Sequence, residues 1–151
     1  MKNFTYLKTL FLTLFVSALL FSCSDEEDDT SVDDVVDPLD TQANLLNGSW
    51  VVKDANSVTK DGSVVNVFTA MSLTFSGGSA SGGAYATLNS DSNEVWPGSG
   101  TWQFQSGSSA TLLRSDGVVI SISVTETTLK TTFSTSGGIK DGNWVFDFVK
   151  Q

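Results

Sequence analysis

Three stretches near the C-terminus alternate with a strict period of two. In VVISISV, residues 118–124, Val118, Ile120, Ile122 and Val124 share one side and Ser121 and Ser123 the other. In TTLKTTFS, residues 127–134, Leu129, Thr131 and Phe133 oppose Thr128, Lys130 and Thr132. In NWVFDFVK, residues 143–150, Trp144, Phe146 and Phe148 oppose Val145, Asp147 and Val149. An extended strand sends successive side chains to opposite faces, so each stretch presents one core face and one solvent face. A helix would scatter the same residues around its whole circumference.

The same texture runs back to about residue 45. Valine, threonine, serine and aromatic residues dominate, and short runs are bounded by glycine pairs and Asp-Gly steps suited to tight turns. Eight strands are expected, over residues 49–58, 64–75 (with a break near Ala70), 79–89, 100–105, 109–114, 118–124, 127–134 and 143–150. Gly82-Gly83 predicts a bulge or bend. No amphipathic helix of three turns is visible. Consecutive hairpins make an all-β antiparallel meander, and eight strands remove their two exposed edges by closing into a barrel.

Charge divides the 151-residue chain differently. Residues 1–22 carry Lys2 and Lys8 and no acid, and residues 24–40 carry nine acids and no base. From Thr41 onward eight acids face six bases. Most of the formal charge of −9 therefore belongs to a short segment ahead of the strands. An acidic chain lacks the basic surface that nucleic acid requires. There is no histidine, which removes the usual base near neutral pH and the commonest metal ligand. Cys23 is the only cysteine, so no internal disulfide and no thiolate cluster can form. Asn89, Asp91 and Asn93 are spaced like the start of a calcium loop, but its glycine position holds Glu94 and its final acidic position holds Gly100. Many serines stand without a histidine to activate one, and Asp54, Asp61, Asp116 and Asp141 sit in turn contexts that favour Asp for backbone reasons. The expectation is a protein that is not an enzyme and needs no metal or cofactor.

The N-terminus carries its own pattern. Two lysines precede the apolar run LFLTLFVSALLF, residues 10–21, which is shorter than the ~20 residues of a membrane span. The stretch LFSC, with Leu20, Ser22 and Cys23, resembles the lipobox of bacterial lipoproteins. That resemblance implies removal of residues 1–22 and acylation of Cys23, tethering the chain to a membrane. Two or three acyl chains give stable anchoring where one gives marginal binding. The acids that follow, Ser24-Asp25-Glu26-Glu27-Asp28-Asp29, resemble the signal by which some Gram-negative bacteria send lipoproteins to the outer face of the outer membrane. A run of like charges is also an extended, self-repelling spacer, and an anchor facing the periplasm is the other expected location. Residues 23–43 are expected to form a lipidated acidic tether.

LLNGSW, with Leu46, Gly48 and Trp50, resembles the G-x-W opening of lipocalins. EVWPGSGTWQF, residues 94–104, and DGNWVFDFVKQ, residues 141–151, are similar to small lipocalin-like domains of bacterial surface lipoproteins. The resemblance covers residues 44–151 and implies an eight-stranded barrel with a possible small hydrophobic ligand inside. The inward set expected to line such a pocket is Trp102, Phe104, Ile120, Ile122, Phe133 and Phe146. The alternative is a barrel filled by its own core, with loops that contact a protein or glycan. Trp50 and Trp144 are expected to be structural. Trp96, beside Pro97 in a polar connection, is either core or an exposed contact residue.

Overall fold

The computed structural model describes residues 36–151, so Cys23, the acids from Asp25 to Asp29 and the stretch read as a signal peptide lie outside the described residues. The compact unit Val35–Gln151 is a closed antiparallel barrel of eight staves. Ten strands build it: β1 (Gly48–Val52), β2 (Val58–Lys60), β3 (Ser63–Val64), β4 (Ser72–Ser79), β5 (Gly82–Leu88), β6 (Ser99–Phe104), β7 (Thr111–Arg114), β8 (Val119–Val124), β9 (Thr128–Thr135) and β10 (Gly142–Lys150). From β4 to β10 each strand pairs with the next, and β1 returns to pair with both β4 and β10. The closing register sets Trp50 opposite Lys150 and Val52 opposite Phe148.

Ten strands make eight staves because the first two staves are interrupted. β1 pairs with the end of β10, and β2 pairs farther back, with Phe146 opposite Val58. Between them residues 53–57 loop out around one residue of β10: Lys53 N–H donates to the Asp147 carbonyl and Asp147 N–H donates to Ser57. On the second stave β3 gives way to a single 3₁₀ turn, Asn66–Phe68, before β4 begins. This is the break expected near Ala70. It turns Phe68 and Met71 into the core, where both are fully buried.

The period-two stretches become β8, β9 and β10, with the inward residues as the alternation requires: Ile120 and Ile122, then Leu129, Thr131 and Phe133, then Trp144, Phe146 and Phe148 are all buried. The bend expected at Gly82-Gly83 is real. The β4–β5 register slips between Ser76 and Ser79, and Gly82 has φ +115° with the Trp102 carbonyl where a Cβ would sit. Only glycine fits both demands.

The helix is the main departure from the sequence reading. Helix α1 spans Pro38–Leu46 and crosses the expected boundary between tether and domain. Its start follows ordinary capping chemistry: the Asp37 carboxylate accepts the Leu39 N–H at 2.8 Å, and Pro38 stands in the first turn, where a missing N–H costs nothing. At nine residues it is too short to show three turns of periodicity. Its stripe is Leu39, Ala43 and Leu46, the last two fully buried over one end of the barrel. Asp40 accepts the Ala80 N–H, and Asn47 grips Gly78 through both side-chain atoms, so the helix is pinned to the β4–β5 turn. Trp50 completes this end. Its indole N–H donates to the Leu46 carbonyl at 2.8 Å, and the Lys150 ammonium lies 4.9 Å from its ring centroid while donating to the Leu45 carbonyl.

Candidate functional site

The six residues expected to line a pocket all point inward, between 0 and 8% exposed. All six belong to the single core cluster of the barrel. Trp102 and Phe104 on β6 meet edge to face with centroids 5.2 Å apart, and Phe75 packs on Trp102 at 6.0 Å, beneath α1. Phe133 and Phe146 stack at 5.9 Å around the middle of the barrel. Ile120 stands opposite Phe133 and Ile122 opposite Thr131 across the β8–β9 ladder.

A further aromatic packs beside Phe133 and Phe146. Trp96, in the connection between β5 and β6, is 1% exposed, so it is core and not an exposed contact. Its ring meets Tyr85 at 5.8 Å, Phe133 at 5.3 Å and Phe146 at 6.2 Å, each nearly edge to face, the arrangement aromatic quadrupoles favour. The apolar pair Val95-Trp96 in an otherwise polar connection was the visible sign of this plug.

Arg114, the sole arginine of the chain, has no place in the site expected from the sequence. It is 1% exposed. Two of its nitrogens grip Asp116, at 2.8 and 2.7 Å, and a third donates to the Val95 carbonyl at 2.9 Å. The guanidinium plane lies 5.1 Å from the Trp96 centroid and 5.5 Å from that of Phe133. A buried cation is tolerable only when paired and hydrogen-bonded, and here every contact is an anion, a carbonyl or a π-face. The hydrogen bond from Arg114 holds the Asp116 carboxyl below its ordinary range, while burial opposes the shift. The signal was available: period two from Leu112 places Arg114 inward, and an acid two residues on is its partner.

Around the plug, three connections converge at the barrel end opposite α1: residues 89–98, the β7–β8 turn and the β9–β10 loop. Glu94 accepts the Lys140 backbone N–H at 3.1 Å, and the Lys140 ammonium lies 3.7 Å from Asp91. Asp141 accepts the N–H groups of Gly138 and Gly137, which lower its pKa. Beside these loops an open groove of about 700 Å³ runs over the outer face of β8 and β9. Its sides come from Asn93 and Glu94, residues 116–119, Ser121 and residues 132–136.

Among the described residues no group of three or more Cys, Asp or Glu is placed to hold a metal, and no helix is long and apolar enough to cross a membrane. No protein-family model, no curated protein and no solved structure matches this chain.

Proposed function

We propose that this chain is a lipid-anchored, non-enzymatic lipoprotein of the outer membrane or cell surface, whose filled lipocalin-like barrel is a scaffold that presents its loop end to a protein or glycan. The observation that carries this reading is the occupied interior. Trp96, Phe133, Phe146 and the Arg114 guanidinium pack on one another inside the barrel, where a ligand would have to lie. A small-ligand vessel keeps a largely pre-formed apolar cavity; the six inward residues here are in contact with other core side chains instead.

The two ends of the barrel differ. The described chain begins just ahead of α1, at the barrel end sealed by Leu46 and Trp50. The three converging loops lie at the far end. Residues 24–37, the stretch between Cys23 and α1, would reach about 46 Å if fully extended, at ~3.3 Å per residue.

Mass spectrometry of the membrane-bound protein should find acyl chains on Cys23, and Cys23→Ser should leave the precursor uncleaved or release the protein. Replacing the five acids of residues 25–29 by asparagine should lower protease accessibility on whole cells while leaving the thermal midpoint of the domain unchanged. An unmodified Cys23 thiol in a membrane-retained protein would sink the anchor; unchanged accessibility would reduce the acids to a spacer.

A further inference from the structure

We propose that the groove over β8 and β9 is a binding site for an uncharged carbohydrate chain. The inference rests on the surface-scaffold reading above and names the ligand class for that scaffold's loop end. Its volume of about 700 Å³ lies in the usual range of ligand sites and accommodates a short oligosaccharide.

The lining selects against charge of the wrong sign. Glu94 and Asp116 contribute carboxylates, and neither lysine nor the buried Arg114 lines the groove. Phosphate, nucleic acid and acidic glycans are repelled. It also selects against peptides. β8 and β9 are hydrogen-bonded on both sides in the closed sheet, so no free edge exists there for strand addition. The one large hydrophobic side chain that the groove exposes is Val119, 42% accessible, which is a poor anchor beside the buried aromatic that peptide and protein hot spots favour.

What remains is hydroxyl chemistry. Ser121 and Thr132 are direct cross-strand partners with outward, exposed side chains. Ser134 and Ser136 continue the row, and Asn93 adds an exposed amide on the facing rim. Ser121, Thr132, Ser136 and Asn93 offer donors and acceptors, as sugar hydroxyls do, and Ser134, whose hydroxyl donates to Asn143 Oδ1 at 2.7 Å, can accept. Val119 gives an apolar patch for the C–H face of a sugar ring.

The rims are held before any ligand arrives. Arg114 fixes Asp116 through two hydrogen bonds, and Asp116 in turn accepts the Val118 N–H at 3.3 Å. Glu94 is held by the Lys140 backbone. The floor is the part of the β8–β9 ladder that pairs Ile120 with Phe133 and Ser121 with Thr132. A rigid site loses little conformational freedom on binding, which matters for ligands whose individual contacts are weak.

The test uses the full chain in a detergent without a sugar headgroup. Neutral hexasaccharides of glucose and of xylose, and an acidic hexagalacturonate, are titrated by calorimetry. Ser121→Trp fills the groove from an exposed position, and Ser123→Trp places the same bulk on the same strand outside it. A neutral hexasaccharide is expected to bind, at least tenfold more weakly to Ser121→Trp and unchanged with Ser123→Trp, with both variants keeping the wild-type melting temperature. No binding of either neutral sugar at millimolar concentration, tighter binding of the acidic one, or equal loss in both variants overturns the proposal. If the sugars fail while Cys23 is acylated and the loops are surface-accessible, the scaffold reading stands without this ligand. If the sugars bind while Cys23 is unmodified, the groove stands and the anchor falls.

Discussion

Phe146→Ala is expected to leave the domain unfolded or to lower its stability by ~3–5 kcal/mol, the usual cost of truncating a buried phenylalanine. Phe146 is fully buried and touches five other aromatic rings: Phe68, Trp96, Phe133, Trp144 and Phe148, with centroids 5.3 to 6.2 Å away. Those rings come from the 3₁₀ turn, the plug connection, β9 and β10 itself. No local adjustment of one element closes the void, so the cavity term adds to the lost burial. The loss is a large part of the ~5–15 kcal/mol expected for a whole domain. Urea unfolding followed by far-ultraviolet dichroism measures it, with the half-buried Val145→Ala as a control expected within about 1 kcal/mol of wild type. A Phe146→Ala protein as stable as that control would mean the core is centred elsewhere.

Arg114→Ala is expected to cost toward the low end of the ~3–5 kcal/mol typical of removing one partner of a buried ion pair. The discount has a physical cause: Asp116 is 37% exposed, so water takes over part of the solvation of the orphaned carboxylate. The remaining loss comes from the Val95 carbonyl and from the plane withdrawn beneath Trp96. Arg114→Met, which keeps the stem against the rings, should recover part of it. The pair also sets an acid dependence. Asp116 has a folded pKa below its unfolded value, so its contribution is complete above the ordinary carboxylate range near 3.9 and disappears as pH falls through the depressed folded value. Wild type should therefore lose more stability than Asp116→Asn on acidification below about pH 4. Equal acid sensitivity of the two proteins would remove Asp116 as a contributor.

How much of this was legible depended on whether the controlling interaction was local. Strands β8, β9 and β10 were readable to within a residue because alternation is a property of the strand itself, and barrel closure followed from an unbroken run of hairpins. The excursion at residues 53–57 was not readable. It is set by Asp147, ninety residues away, through two backbone hydrogen bonds that leave no side-chain pattern. Helix α1 was hidden by its company: two and a half turns of modest apolarity, at the end of an acidic segment. Its capping pair Asp37-Pro38 was present in the sequence, but its stripe makes sense only against a barrel end already formed. Trp96 shows the same limit from the other side. A tryptophan beside a proline in a polar connection has no strand register to orient it, and its burial is decided by Arg114 and Phe133 from distant strands. Arg114 ends a strand whose alternation from Leu112 points it inward, a position where an arginine is rarely found.

A packed scaffold and a ligand vessel differ in what the barrel interior admits. The most direct test titrates the compact unit, residues 36–151, with a fluorescent hydrophobic probe and with a panel of fatty acids, retinoid-like and haem-like molecules, following tryptophan emission. With Trp96, Trp102 and Phe146 packed as described, no member should bind saturably at micromolar concentration, and Ile122→Trp should change nothing but stability. Saturable micromolar binding that a folded Ile122→Trp variant loses would contradict the account and return the six inward residues to the lining of a ligand pocket.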